Sequence, residues 1–171
     1  GVTVRMKNGY ELTPERVTAI KNLAASSVPK LSPENVVVID AGHQRKGNSE
    51  KEPIGPGASE TKAKVAGGTS GATSGLKEYE LTLMVAEKLQ AELQERGYQV
   101  IMVRTSHDVD MSNSERAQVA NDAAADAFIR IHANGSENTS VHGAMTICQT
   151  ASNPYHADFH EQSKSLSEKV L

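Results

Sequence analysis

Apolar and polar positions divide this chain into short apolar runs and longer stretches with helical spacing. Residues 2–6, Val-Thr-Val-Arg-Met, alternate and predict a short strand. Asn8-Gly9 marks a turn, and Thr13-Pro14 reads as an N-cap followed by proline at the first helical position. Val17, Ile20, Leu23 and Ala24 recur at helical spacing and predict a helix over 14–26, which Pro29 and Pro33 prevent from continuing. The compact apolar run from Val36 to Asp40 reads as a buried strand. Leu81, Met84, Val85, Leu89 and Leu93 predict one apolar face on a helix over 78–96, with Gly97 as its stop. Tyr98–Val103 reads as a strand. Ser112 or Ser114 caps a following helix that contains Ala117, Val119, Ala120 and Ala123 to Ala125. Ala127–Ile131 and Gly143–Cys148 read as strands, and a last helix runs from about His156 to the end. This alternation predicts an α/β architecture, a three-layer, mainly parallel sheet with helices on both faces, preceded by a small β-α unit.

Residues 44–75 break the pattern. They hold seven glycines among many Ser, Thr and Lys and show no period. The expectation is a long surface loop beside the site or, equally, a disordered insertion. At 171 residues the chain accommodates one domain, or one domain plus a short module. The net charge of −3 and the scattered basic residues give no case for nucleic acid. Trp is absent and aromatics make up 4%, which disfavours a stacking platform or a broad aromatic sugar cleft. Cys148 is the single cysteine, so no internal disulfide forms, and its apolar neighbours suggest a buried inert thiol. No stretch approaches the roughly 20 apolar residues of a membrane span, and no secretory signal pattern is visible.

Three dispersed residues carry the clearest chemistry. His43 follows the Val36–Asp40 run, His132 follows Ala127–Ile131, and Glu78 opens the long helix. Two imidazoles and a carboxylate are a ligand set for a catalytic zinc with a position left open for water. Both histidines stand just past strand ends, where ligands gather in α/β sheets. Singly, each has a plainer reading: a histidine after a strand is usually a polar loop residue, and a helix-start glutamate is favoured by the helix dipole. Glu80 competes with Glu78, and spacing does not choose between them. Asp40, Glu80 and backbone carbonyls are candidate partners for the outer imidazole N–H groups.

Other residues carry less. His156 and His160 are four apart, but Ala157 stands where a zincin helix needs Glu, so a solvated face is the better reading. His107 reads as structural and His142 as a turn residue. Lys46, Lys51, Lys62 and Lys64 suit either an anionic polymer or plain solvation. Gly67-Gly68-Thr69-Ser70-Gly71 is not a phosphate loop, since no Lys-Ser/Thr pair opens a helix after it.

Several segments in order resemble one family. Val36-Val37-Val38-Ile39-Asp40-Ala41-Gly42-His43, Lys77-Glu78-Tyr79-Glu80-Leu81-Thr82-Leu83, Val103-Arg104-Thr105, Ser114-Glu115-Arg116 with Ala120-Asn121, and Ile129-Arg130-Ile131-His132-Ala133-Asn134 resemble the zinc-dependent N-acetylmuramoyl-L-alanine amidases. The resemblance covers residues 36–171, an amidase domain with loop 44–75. It selects Glu78 over Glu80, because the family's ligand Glu precedes a helical Leu by five places. It implies that His43, Glu78 and His132 hold Zn2+. It also implies cleavage, at the bacterial cell wall, of the amide between N-acetylmuramic acid and L-alanine in peptidoglycan, as in autolysins and endolysins. The family also places a catalytic Glu on a late apolar strand. Asp158, Glu161 and Glu168 do not match that motif, so the catalytic acid/base is expected beyond Leu171. The expectation is a truncated amidase that binds zinc, is weak or inactive, and exposes a sheet edge.

Residues 1–40 resemble a second family, the ring-building domain of flagellar M-ring and type III secretion inner-ring proteins. The matching segments are Leu12-Thr13-Pro14-Glu15-Arg16-Val17, Ala19-Ile20-Lys21-Asn22-Leu23, Ser27-Val28-Pro29 and Leu31-Ser32-Pro33-Glu34-Asn35-Val36. This implies a β-α module over 1–35, its second strand shared with the Val36 run, and self-association through it. The alternative functions are a ring-assembly module, or a wall-binding fragment that keeps the metal without the chemistry.

Overall fold

The computed structural model describes residues 2–5 by backbone, and residues 35–138 and 140–170 with their side chains. The turn at Asn8-Gly9 and the helix expected over 14–26 lie outside the described residues.

A five-stranded sheet forms the centre, in the order β5-β2-β6-β1-β7. The strands are β1 (Val2–Arg5), β2 (Val36–Ala41), β5 (Gln99–Met102), β6 (Ala127–His132) and β7 (Gly143–Thr146). Strand β2 runs parallel to β5 on one side and to β6 on the other, with Ile39 opposite Met102 and Ile129. β1 is parallel to β6 and antiparallel to β7. The front strand is therefore built into the same sheet as the rest, and the sheet is mixed, with its odd direction at one edge. β7 stops at Thr146, so Cys148 lies beyond it, half-buried rather than fully buried.

Alternation along the strands divides two different faces. Val37, Ile39, Ala41, Ile129 and Ile131 pack with Leu83, Ala86, Leu89 and Leu93 of α1 (Glu78–Glu95) in one apolar core. On the other face, Asp40 of β2 meets Arg116 of α2 (Asn113–Asp122). The expectation of helices on both faces therefore holds. The buried stripe of α1 differs in detail from the apolar pattern: Met84 is 42% exposed, and Thr82 is buried in its stead. The Thr82 hydroxyl donates to the Gly42 carbonyl at 2.8 Å, so a polar residue at this turn ties the helix start to the end of β2.

The cap of α2 is Ser112, not Ser114. Its hydroxyl accepts from Glu115 N–H, while the Glu115 carboxylate accepts from Ser112 N–H at 2.7 Å, a closed capping box. The helix ends at Asp122, and Ala124, with φ 46°, falls outside it. The last helix, α3 (His160–Val170), starts after a 3-10 turn at Ala157–Phe159, later than the apolar pattern suggests.

Segment 44–75 is not a structureless loop. It contains a β-hairpin, β3 (Asn48–Pro53) paired antiparallel with β4 (Thr61–Val65), with a register shift between Asn48 and Lys51. Hydrophobic periodicity misses it because charge pairs hold its two strands: Glu52 stands opposite Lys62 at 2.7 Å, and Glu50 meets Lys64 at 2.7 Å.

Candidate metal centre

β2 and β6 are adjacent, parallel strands whose onward connections leave in opposite directions across the sheet. Their carboxyl ends flank a topological switch point, the place where α/β sheets form ligand clefts. His132 is the last residue of β6, and His43 follows β2 by two residues. His43 has φ 61°, a left-handed conformation that is uncommon outside glycine. The turn that produces it passes through Gly42, whose N–H donates to Ile131 O at 2.9 Å. A Cβ on Gly42 would lie 2.5 Å from His132 Cε1 and 2.6 Å from Ile131 O, so only glycine lets the two strand ends approach this closely.

Glu78 enters from the first turn of α1 and is 6% exposed. His43 Nε2, His132 Nδ1 and Glu78 Oε1 form a triangle with 3.1 Å on each side. The two imidazole rings meet edge to face with centroids 4.7 Å apart. Ligand atoms around a small tetrahedral cation with bonds of about 2.0–2.1 Å lie about 3.3 Å apart. The triangle is thus the size of one face of such a site, and the three residues could hold a metal ion together.

Supporting contacts orient two of the three donors. His43 Nδ1 lies 2.8 Å from the Ala66 carbonyl, which makes Nδ1 the protonated nitrogen and turns the Nε2 lone pair toward the cluster. Glu78 Oε1 accepts from Ala133 N–H at 2.9 Å and Oε2 from Thr69 N–H at 3.0 Å. Burial by itself would raise the Glu78 carboxyl. The hydrogen bonds from His132, His43, Ala133 and Thr69 outweigh it and hold the group well below the usual carboxylate range. Burial lowers His43, but its contacts with Glu78 and Ala66 O win, and its affinity for a proton is raised. The cluster therefore concentrates negative charge beside two nitrogen donors, the electrostatic preference of a divalent cation.

Glu80, the competing ligand, does something else: its carboxylate accepts from Lys77 N–H at 3.1 Å and caps α1. It does not serve as an imidazole partner either. Nor does Asp40, which is fully buried and pairs with Arg116 at 2.6 Å and Arg130 at 3.0 Å. Of the three kinds of partner considered, a backbone carbonyl is the one used, on His43. His156 is exposed, and His160 turns its Nδ1 to Gln149 O at 2.9 Å, so the two do not form a second site. His107 stacks edge-on against Tyr79, in keeping with a structural role, and His142 is exposed. Lys62 and Lys64 spend their charges within the hairpin, while Lys46 and Lys51 face solvent.

The pattern of apolar positions did not reveal the scaffold that holds the turn carrying His43. Arg104 donates to Ala41 O at 2.8 Å, Gly42 O at 3.2 Å and Tyr79 O at 2.8 Å. Arg116 donates to Ala41 O and His43 O, both at 3.1 Å. Two guanidinium groups thereby satisfy the carbonyls of the irregular turn 41–43. Asp40 balances their charge from inside β2. A signal for this was present, since Asp40 interrupts an apolar strand and Arg130 interrupts the neighbouring one at the matching register position.

Comparison with known proteins places these observations in a lineage. Residues 37–171 match the family described as N-acetylmuramoyl-L-alanine amidase, and residues 1–45 match the RBM domain of YscJ/FliF secretory proteins. The N-acetylmuramoyl-L-alanine amidase LytC of Bacillus subtilis (strain 168) is 34% identical over 97 residues, which are 57% of this chain and 18% of LytC. The flagellar M-ring protein of Aquifex aeolicus (strain VF5) is 34% identical over 118 residues, which are 68% of this chain and 21% of that protein. The chain thus spans about a fifth of each curated relative. The crystal structure of the apo form of the amidase Ami1 from Mycobacterium abscessus superposes with a TM-score of 0.54 at 26% identity, covering 60% of this chain and 49% of Ami1.

Proposed function

The chain belongs to the N-acetylmuramoyl-L-alanine amidase family through residues 37–171, and on that footing we propose that it is a zinc-dependent hydrolase of bacterial peptidoglycan. The bond cut is the amide between N-acetylmuramic acid and L-alanine, at the cell wall. The observation that carries this reading is the 3.1 Å triangle of His43 Nε2, His132 Nδ1 and Glu78 Oε1 at the carboxyl edge of the sheet. We assign all three as zinc ligands. When bound, zinc supplies Lewis acidity, which acidifies water and polarises a scissile carbonyl. The chain's own residues prepare the site. Ala66 O selects the His43 tautomer, Ala133 and Thr69 keep the Glu78 carboxylate ionised and aimed, and Arg104 with Arg116 hold the His43 turn in its left-handed shape.

Amide hydrolysis also needs a proton delivered to the leaving amine. Asp158, Glu161 and Glu168 lie exposed on the 3-10 turn and α3. Among the described residues the metal-type cluster holds one carboxylate, Glu78. The 171 residues are therefore expected to bind zinc near one per chain and to release free stem-peptide amines slowly. Elemental analysis after dialysis reads the first, with His43→Ala and His132→Ala each losing the metal. Unchanged zinc in both variants refutes the ligand assignment. Fast turnover would place the proton donor within these residues after all.

A second reading rests on the match of residues 1–45 to a ring-building domain. It makes the front segment a self-association module. β1 is hydrogen-bonded on both sides, to β6 and β7, so association would use another surface of that segment. Sedimentation of the intact chain separates the readings, since a strict monomer counts against assembly.

A further inference from the structure

Three backbone contacts to His43 and Glu78 come from the strap that follows the β3–β4 hairpin. Ala66 O meets His43, Thr69 N–H meets Glu78 Oε2, and Thr69 O accepts from Glu78 N–H at 2.9 Å. Between them, Gly68 lies flat against the ligands with φ 77°. A Cβ there would lie 3.1 Å from His43 Cγ and 3.3 Å from Glu78 Oε2. These are backbone contacts, so their geometry depends on where the hairpin is held.

The hairpin is held from below. Glu52, 5% exposed, points its carboxylate at the first turn of α2. Its Oε2 accepts from Ser114 N–H at 3.1 Å and Ser114 Oγ at 2.7 Å, and its Oε1 takes Lys62 Nζ at 2.7 Å from the opposite strand. A carboxylate at a helix N-terminus is favoured by the unpaired N–H groups and the dipole there. A second tie runs parallel to it: Asn113 donates to Lys64 O and accepts from Arg130, which pairs with Asp40. Lys64 is two residues before Ala66, so this second tie ends at the root of the strap, while the Glu52 tie fixes the hairpin nearer its loop end, where Glu52 stands opposite Lys62.

We propose that Glu52 is a remote positioning residue of the metal centre, latching the hairpin onto α2 so that Ala66 and Thr69 are presented to His43 and Glu78. The inference rests on the zinc-site reading above. Released from Ser114, the hairpin shifts, the strap leaves the ligands, and His43 and Glu78 lose the orientation that binding requires. Loss of a partner of this kind costs about 10- to 100-fold in metal affinity.

The test measures zinc affinity by competition with a chromophoric chelator, the absorption spectrum of the cobalt-substituted protein, and urea unfolding of the metal-free chain. Glu52→Gln is expected to bind zinc about 10-fold more weakly and to alter the cobalt spectrum while still folding. Ser114→Ala is expected to move in the same direction, Ser114→Thr to restore affinity, and Gly68→Ala to weaken binding through the strap itself. Because Glu52 and Gly68 act through one strap, the double variant is expected to lose less than the product of the two single losses. Should Glu52→Gln not fold, the Ser114 pair decides the matter by the same readings. A lowered urea midpoint with wild-type zinc affinity would make the latch purely structural and overturn the proposal. Absence of zinc binding by the unaltered chain would instead overturn the functional reading on which it stands.

Discussion

Asp40 is the penultimate residue of an otherwise apolar strand, fully buried, with Arg116 and Arg130 on its two oxygens. Arg116 is itself fully buried and reaches the carbonyls of Ala41 and His43. One anion therefore balances the cations that shape the turn carrying His43. Replacing it leaves buried positive charge without a counterion, which typically costs about 3–5 kcal/mol. Asp40→Asn is accordingly expected to lower metal-free stability by about that amount in urea unfolding, although no ligand is touched. At this scale the sequence was half legible. The three candidate ligand residue types could be named; spacing left Glu78 and Glu80 equivalent, the family resemblance chose Glu78, and the structure shows Glu80 engaged by Lys77 N–H. A carboxylate's role depends on which backbone donors reach it first, and that is a tertiary fact at Glu78 and a local one at Glu80.

Elements were recovered where an apolar period marks them and lost where charge does the pairing. The 3.6-residue spacing in α1 and the apolar runs of β2 and β6 report burial directly. The β3–β4 hairpin buries little apolar surface, and Glu50, Glu52, Lys62 and Lys64 read as solvated loop until their cross-strand partners are known. The choice between Ser112 and Ser114 shows the same limit. Both can cap, but only Ser112 has Glu115 three residues on to complete the box, while Ser114 is taken by Glu52. Ser112→Ala is expected to cost about 1 kcal/mol in thermal or urea unfolding. Because the α2 start also carries the hairpin, the same substitution is expected to loosen residues 48–65 in hydrogen exchange.

Across the whole molecule, acidic groups held in their charged form tie stability to pH. Burial opposes ionisation of Glu52, but Lys62 and the Ser114 donors prevail and bring its carboxyl down to about 2, against 4.5 for an unperturbed glutamate. A lowered folded value stabilises the protein above the unfolded value, and the gain is lost as pH falls through the folded one. Metal-free protein is therefore expected to lose stability between about pH 4.5 and 2, and Glu52→Gln to show a flatter urea-midpoint profile over that window. The sequence by itself determined the α/β class, the order of most elements, and three candidate ligand residues with chemistry suited to one metal, because burial period and residue type are written locally. Only the tertiary structure decided that β1 joins the same sheet, that segment 44–75 contains a hairpin, and that the strap after it hydrogen-bonds His43 and Glu78. Those outcomes depend on hydrogen bonds and charge pairs between residues far apart in the chain, such as Glu52 with Ser114 and His43 with Ala66, and such partners leave no period to read.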